Sequence, residues 1–251
     1  QIINHGGTII SQKEIGCPEG TTIIVKNLFY NTPARLKFLK SLRTETSHIS
    51  DLISRIILAH PEISFKYINN GKIIYHSPGD GSVKSAIFSI YGKEVMDQLI
   101  EIEYKDSSDN IEIKGFLGKP NLSRSNRNYQ SFFVNGRYVK SILLSNAVEN
   151  AYKAYMMANH FPWVVLHLTI PPESADVNVH PSKIEIRFME EDRIYEAIYN
   201  TVLEAINKQN MIPKVISSSN SGLDFIKSDT QRRTSAASSQ AEKNTSEQSS
   251  L

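Results

Sequence analysis

Two short turns, His5-Gly6-Gly7-Thr8 and Asn69-Asn70-Gly71, each stand between β-branched or alternating apolar runs. A two-residue turn that tolerates positive φ folds the chain straight back on itself, so both read as antiparallel hairpins. Elsewhere apolar residues recur every three or four positions, the spacing of a helix with one buried stripe. Hairpins interleaved with such helices give an α+β chain.

Taken in order, Thr21 to Lys26 (T-T-I-I-V-K) is a β-branched run expected to fill a central strand. In L-F-Y-N-T-P-A-R-L-K-F-L-K, Thr32 is placed to cap a helix that Pro33 enters. Ile49, Leu52, Ile53, Ile56 and Ile57 mark the stripe of a helix expected to cover the first sheet. Strands at Ile63 to Ile68 and Lys72 to His76 then close a first unit over residues 1–77. Pro78-Gly79-Asp80-Gly81 resists both helix and strand and marks the boundary.

The second unit, 78–210, reads as a helix over Ser82 to Tyr91, then strands at Leu99 to Tyr104, Ile111 to Gly118 and Arg127 to Val134. A turn follows at Asn135-Gly136, then a helix over Ser141 to Asn159, a strand over Trp163 to Ile170 and a last helix over Glu190 to Gln209. Residues 211–251 are rich in Ser, Thr, Gln and Asn with few aromatics, the composition of a disordered linker.

At 251 residues the chain has room for one or two packed units, and a net charge of +2 leaves any basic surface to local clustering. Cys17 is the single cysteine, which excludes a disulfide framework and every multi-cysteine metal motif and fits a reducing, cytoplasmic setting. No run approaches the roughly 18 apolar residues that would cross a bilayer. The chain opens at Gln1, in mid-hairpin, and reads as lacking its true start.

No phosphate loop, dinucleotide fingerprint, zinc-protease helix or nucleophile elbow is complete in these residues. What the residues do offer is Asp176 to Phe188, D-V-N-V-H-P-S-K-I-E-I-R-F. There Pro181 stiffens a polar turn, Lys183 stands at its exit, and Ile184, Ile186 and Phe188 alternate with Glu185 and Arg187. A lysine on a turn rooted in a half-buried strand can be aimed at an anion with little loss of freedom. Asn178, His180 and Pro181 are read as bracing that loop. His180 lacks a second histidine or a cysteine at ligand spacing, so no metal site is expected. Glu190, Glu191 and Asp192 complement the dipole of the last helix.

From Lys114 to Lys140 the chain carries Lys114, Lys119, Arg124, Arg127, Arg137 and Lys140 without one Asp or Glu. Cations mixed with amides and Tyr129 suit contact with a nucleic-acid backbone rather than with bases; the plain alternative is a solvated loop.

Three stretches, G-T-T-I-I-V-K-N-L-F-Y-N-T-P-A-R-L-K-F-L from Gly20, F-V-N-G-R-Y-V from Phe133, and D-V-N-V-H-P-S-K-I-E-I-R-F, together resemble the amino-terminal region of the MutL family of DNA mismatch repair proteins, nearest its bacterial homodimeric branch. The resemblance implies a split ATPase of the gyrase, heat-shock chaperone, histidine kinase and MutL (GHKL) superfamily. Residues 1–77 would be the carboxy-terminal part of the ATP-binding α/β sandwich, and 78–210 a transducer domain of the ribosomal-protein-S-five, domain-two type. In that likeness Lys183 matches the catalytic, phosphate-sensing lysine, and Thr21 the threonine on the adenine side of ATP. Arg137 and Lys140 fall in a DNA-binding groove, to which Arg124 and Arg127 are added here.

The implied partners are DNA, the mismatch sensor MutS and a second copy of the chain; the implied cofactors are ATP and Mg²⁺, in a bacterial cytosol near the nucleoid. The family's catalytic glutamate, Mg²⁺-binding asparagine and nucleotide lid match no residue here, so the chain alone is expected to be inactive. Two other readings stand beside this one: a non-catalytic nucleic-acid-binding module, and the transducer part of another GHKL ATPase such as a type II topoisomerase.

Overall fold

The computed structural model describes residues 1–106, 110–176 and 184–210; the 211–251 segment lies outside the described residues. Both predicted hairpins form. Strand β1 (Ile2–His5) pairs with β2 (Thr8–Gln12), and β3 (Lys66–Asn69) with β4 (Lys72–His76), each antiparallel. Asn70 and Gly71 take φ of 50° and 76°, the left-handed pair that such a turn requires.

The first of the helices, α1 (Pro33–Lys37), starts at Pro33 as expected, with Thr32 at its N-cap. The Thr32 hydroxyl makes no capping bond; its carbonyl accepts from Arg35 and Leu36 instead. Residues 21–26 form no strand. Ile23, Ile24 and Val25 are 81%, 75% and 72% exposed. A β-branched run becomes a strand only beside a hydrogen-bonded neighbour, and none pairs with it among the described residues.

Beyond residue 41 the chain builds layers. Helix α2 (Leu42–Ala59) is capped by Ser41, whose Oγ accepts from the Thr44 amide. Helix α3 (Val83–Met96) is capped by Ser82; it runs past the expected end at Tyr91 because it kinks at Gly92 (φ 77°) and resumes. A five-stranded sheet follows in the order β5-β6-β9-β7-β8. Its strands are β5 (Leu99–Asp106), β6 (Ile111–Gly118), β7 (Gln130–Val134), β8 (Arg137–Val139) and β9 (Val164–Thr169). Only β7 and β9 run parallel; helix α4 (Ile142–Tyr152) carries the chain from the β7–β8 edge back to the slot beside β6. Gly115 of β6 permits the close pairing there, since a Cβ at that position would stand 2.0 Å from the Val165 carbonyl oxygen.

One sheet face packs Ile113, Leu117, Phe132, Leu166 and Leu168 under α4 and under α5 (Glu191–Asn210). Phe116, Phe133, Trp163 and Val165 on the other meet Ile57 and Leu58 of α2 and Ala86 and Ile87 of α3. Helix α2 therefore covers this mixed sheet, and Tyr75 of the second hairpin packs against the same cluster. Its stripe is rotated accordingly: Ser54, Ile57 and Leu58 are buried, while Ile49 and Leu52 remain exposed.

Other boundaries also differ from the sequence reading. Strand β7 starts at Gln130, because Arg127–Tyr129 close a 3₁₀ turn in which the Asn126 side chain accepts from the Asn128 amide. Helix α4 stops at Tyr152, the last residue of its buried stripe, rather than at Asn159. Among the described residues of the Asp176 to Phe188 stretch, strand pairing is confined to Asp176 and Arg187–Phe188, in β10 (Ala175–Asp176) and β11 (Arg187–Phe188), although Ile184 and Ile186 are half-buried, Phe188 is buried and Glu185 and Arg187 are exposed, which keeps the expected alternation.

Candidate nucleic-acid interface

The acid-free run from Lys114 to Lys140 is linear in sequence, but the sheet folds acids back onto it. Strand β6 pairs with β5, so Lys114 Nζ lies 3.2 Å from Glu103 and 2.6 Å from Glu112. The Lys114 hydrogen bond to Glu112 raises the ammonium above its ordinary pKa, and the same contact lowers the Glu112 carboxyl. Lys114 is neutralised in place.

Arg124 and Arg127 hold the loop between β6 and β7. The backbone of Arg124 exchanges both hydrogen bonds with Phe161, and its guanidinium sits 4.9 Å from the Tyr129 ring centroid. Arg127 is bound through two parallel bonds to Glu149 of α4, Nε to Oε1 at 2.8 Å and Nη2 to Oε2 at 2.9 Å. Gln130 Nε2 donates a third bond to Glu149 Oε1 at 2.9 Å, and the Arg127 guanidinium lies 5.4 Å from the Phe161 ring centroid. The hydrogen bond to Glu149 raises Arg127 above its already high range.

Arg137 and Lys140 frame β8 and are exposed, with no ion pair among the described residues. Strand β8 is short and lies at the sheet edge. The Lys140 amide donates to the Ile184 carbonyl at 2.8 Å, which fastens this edge to the chain that leads into β11.

Beside β8 opens a groove of about 900 Å³. Asp51 and Arg55 of α2, Arg127, Gln130, Tyr138, Lys140, the first turns of α4, Glu185, Ile186, Glu191 and Tyr195 line it. Three cations face three acids, Asp51, Glu185 and Glu191, besides Glu149 behind Arg127, so the groove is not uniformly positive. Arg55 crosses from α2 to the sheet: its guanidinium donates to the Ser131 hydroxyl and the Asn128 carbonyl and lies 5.3 Å from the Tyr138 ring centroid. The structure thus brings Arg127 and Lys140 to one groove but leaves Arg124 and Arg137 off its lining.

Thr21 stands exposed in the irregular stretch before α1. Asn178, His180, Pro181 and Lys183 lie outside the described residues. Among the described residues no group of three or more His, Cys, Asp or Glu side chains could hold a metal ion. None of the described helices is long and apolar enough to cross a membrane.

Sequence reasoning missed Arg55, Glu149 and His167. His167 projects from β9, in register with Lys114, and stacks on Phe133 with centroids 4.6 Å apart. Burial pulls its pKa from 6.5 down to about 4, so the ring is neutral at pH 7. Arg55 sits one place off the apolar stripe of α2, and Glu149 is 22 residues from its partner; neither distance leaves a trace in local patterning.

Residues 87–207 match the family described as DNA mismatch repair protein, C-terminal domain. A DNA mismatch repair protein MutL from Agathobacter rectalis is 46% identical over 211 residues, 84% of this chain and 32% of that protein. MutL from Clostridium botulinum (strain Loch Maree) is 48% identical over 206 residues, 82% of this chain and 31% of that protein. The chain thus spans about a third of the length of these relatives. Among solved structures, the N-terminal domain of a DNA repair protein superposes with TM-score 0.62 at 26% identity, over 73% of this chain and 60% of that one. The Aquifex aeolicus MutL ATPase domain complexed with ADP superposes with TM-score 0.56 at 22% identity, over 78% of this chain and 65% of that one; at that identity the likeness concerns the fold alone. By the domain it matches and by these relatives, the chain belongs to the MutL family of DNA mismatch repair proteins.

Proposed function

We propose that the whole protein to which these residues belong is an ATP-dependent, DNA-binding matchmaker that couples mismatch recognition by MutS to strand incision and removal. The observation that carries this reading is the identity of 46% to a MutL over 84% of the chain. In it, residues 1–77 complete an ATP-binding domain, 78–210 form the lysine-bearing transducer, and 211–251 begin a linker. Two copies associate, with ATP drawing their amino-terminal halves together.

Thr21 supplies a hydroxyl on the adenine side of ATP, and its exposure leaves it free to do so. Lys183 contributes a compact positive charge at the terminal phosphate, where it distinguishes ATP from ADP and stabilises charge in phosphoryl transfer. Mg²⁺ is held chiefly by the nucleotide phosphates and water, with few protein ligands. DNA is held through its backbone by the exposed cations at the β8 edge. Arg137 and Lys140, exposed and without ion-pair partners among the described residues, are the cations best able to release counterions from phosphate.

The test is made in the full-length protein. Lys183→Ala is expected to slow ATP turnover sharply while circular dichroism stays unchanged; unaltered turnover would remove Lys183 from the mechanism. Reversing charge at Arg137 and Lys140 is expected to lower the slope of log affinity against log salt by about 0.9 per phosphate lost. An identical slope would refute the interface.

A further inference from the structure

We infer that Glu149 withholds Arg127 from DNA, so that the interface engages phosphate through Arg137 and Lys140 and the identity of residue 149 sets its affinity. This rests on the DNA-binding reading above and sharpens it. Arg127 and Glu149 form a two-bond, in-plane pair at 2.8 and 2.9 Å, the arrangement in which a guanidinium is held most firmly by a carboxylate. The arginine side chain is 49% exposed, so exposure alone would make it available to a phosphate.

The glutamate decides otherwise. Its side chain is only 20% exposed and takes a further bond from Gln130, while Phe161 supports the guanidinium from the side. A phosphate that drew Arg127 away would leave a largely buried carboxylate with one neutral donor, and an ion stripped of its partner at low exposure is strongly disfavoured. The departing arginine would also uncover a negative charge beside the incoming phosphate. A swap of partners therefore loses on both counts, and the pair meets DNA as a neutral unit. Arg137 and Lys140 carry no such restraint among the described residues.

The experiment is a salt titration of binding to a mixed-sequence duplex oligonucleotide by fluorescence anisotropy, with the full-length protein and its variants. Arg137→Ala and Lys140→Ala should each lower the salt slope by about 0.9, whereas removing Arg127 together with its counter-charge, in Arg127→Ala/Glu149→Gln, should leave it unchanged. Glu149→Gln keeps a carbonyl for Gln130 but frees the guanidinium, and should steepen the slope by about 0.9. Over a fourfold rise in salt, that is an extra loss of affinity of roughly threefold, on top of tighter binding at the low-salt end. The double variant Glu149→Gln/Arg127→Ala should return to the parental slope.

Arg127→Gln/Glu149→Gln stands in should the double variant with alanine not fold, and circular dichroism reports folding of each variant. A slope lowered in the Arg127→Ala/Glu149→Gln double variant, or unchanged by Glu149→Gln in folded protein, overturns the inference while leaving the DNA reading intact. No binding by the unaltered protein sinks both.

Discussion

His167 gives the fold an acid sensitivity that can be calculated and measured. Its ring is sandwiched in the sheet against Phe133, opposite a lysine already committed to Glu103 and Glu112, and burial holds its pKa near 4 instead of 6.5. Between those values the unfolded chain takes up a proton that the folded chain refuses. Stability from this residue is therefore complete above about pH 7, falls as pH drops through 6.5, and levels off below about 4. From pH 7.5 to 5 the expected loss is about 2 kcal/mol, at about 1.4 kcal/mol per pH unit for one proton with the curve rounded at its upper end.

The carboxyls of Glu62, Asp80 and Glu112 are held below their ordinary range, so they titrate beneath this window and leave it to the histidine. The assay is urea unfolding at several pH values, followed by the fluorescence of Trp163, the single tryptophan and fully buried. His167→Phe, which keeps a ring against Phe133, should flatten the dependence. A parental curve already flat from pH 7.5 to 5, or a His167→Phe curve that retains the slope, would show that burial does not control this ring.

Other substitutions test the packing. Gly115→Ala drives a methyl into the Val165 carbonyl from a backbone with φ of 149°, and should cost about 2 kcal/mol or more in the same unfolding assay. Arg55→Ala strands the Ser131 hydroxyl, which is 0% exposed, and should cost about 1–3 kcal/mol. Arg55→Lys should recover little of that, since an ammonium cannot reach Ser131 and Asn128 with the same planar fork. Ile24→Ser, at a position 75% exposed, should move the stability of this chain by no more than about 0.5 kcal/mol; a core-sized loss would mean that the 21–26 run is a strand after all.

Turn chemistry was the most legible layer of the sequence. Gly6-Gly7, Asn70-Gly71 and Asn135-Gly136 all take the positive φ that their residue types favour, because the preference is local and needs no partner. The helices α3 and α5 were legible as helices for a similar reason, since a helix satisfies its own backbone. What failed were the readings that depend on a neighbour. The 21–26 run has strand composition and no strand beside it. The cationic run looked free because its counter-charges, Glu103, Glu112 and Glu149, arrive through strand pairing and through a helix 22 residues away. Of the cationic run, the charges themselves were readable and their compensation by acids was not.

The placement of α2 bears on how the protein can be divided. Pro78 to Gly81 marks a clean change of pattern, and it invites a cut there. Yet Ile57 and Leu58, twenty residues upstream, shield Phe133, Trp163 and Val165, and Arg55 anchors the same helix to Ser131. A piece beginning at Pro78 would keep every strand of the mixed sheet and still present half of one face, aromatic and bare, to water. Such a piece would seek a surrogate for α2, and self-association is the nearest one available. A piece that keeps this face covered therefore includes Ser41 and α2, upstream of the seam visible in the primary sequence.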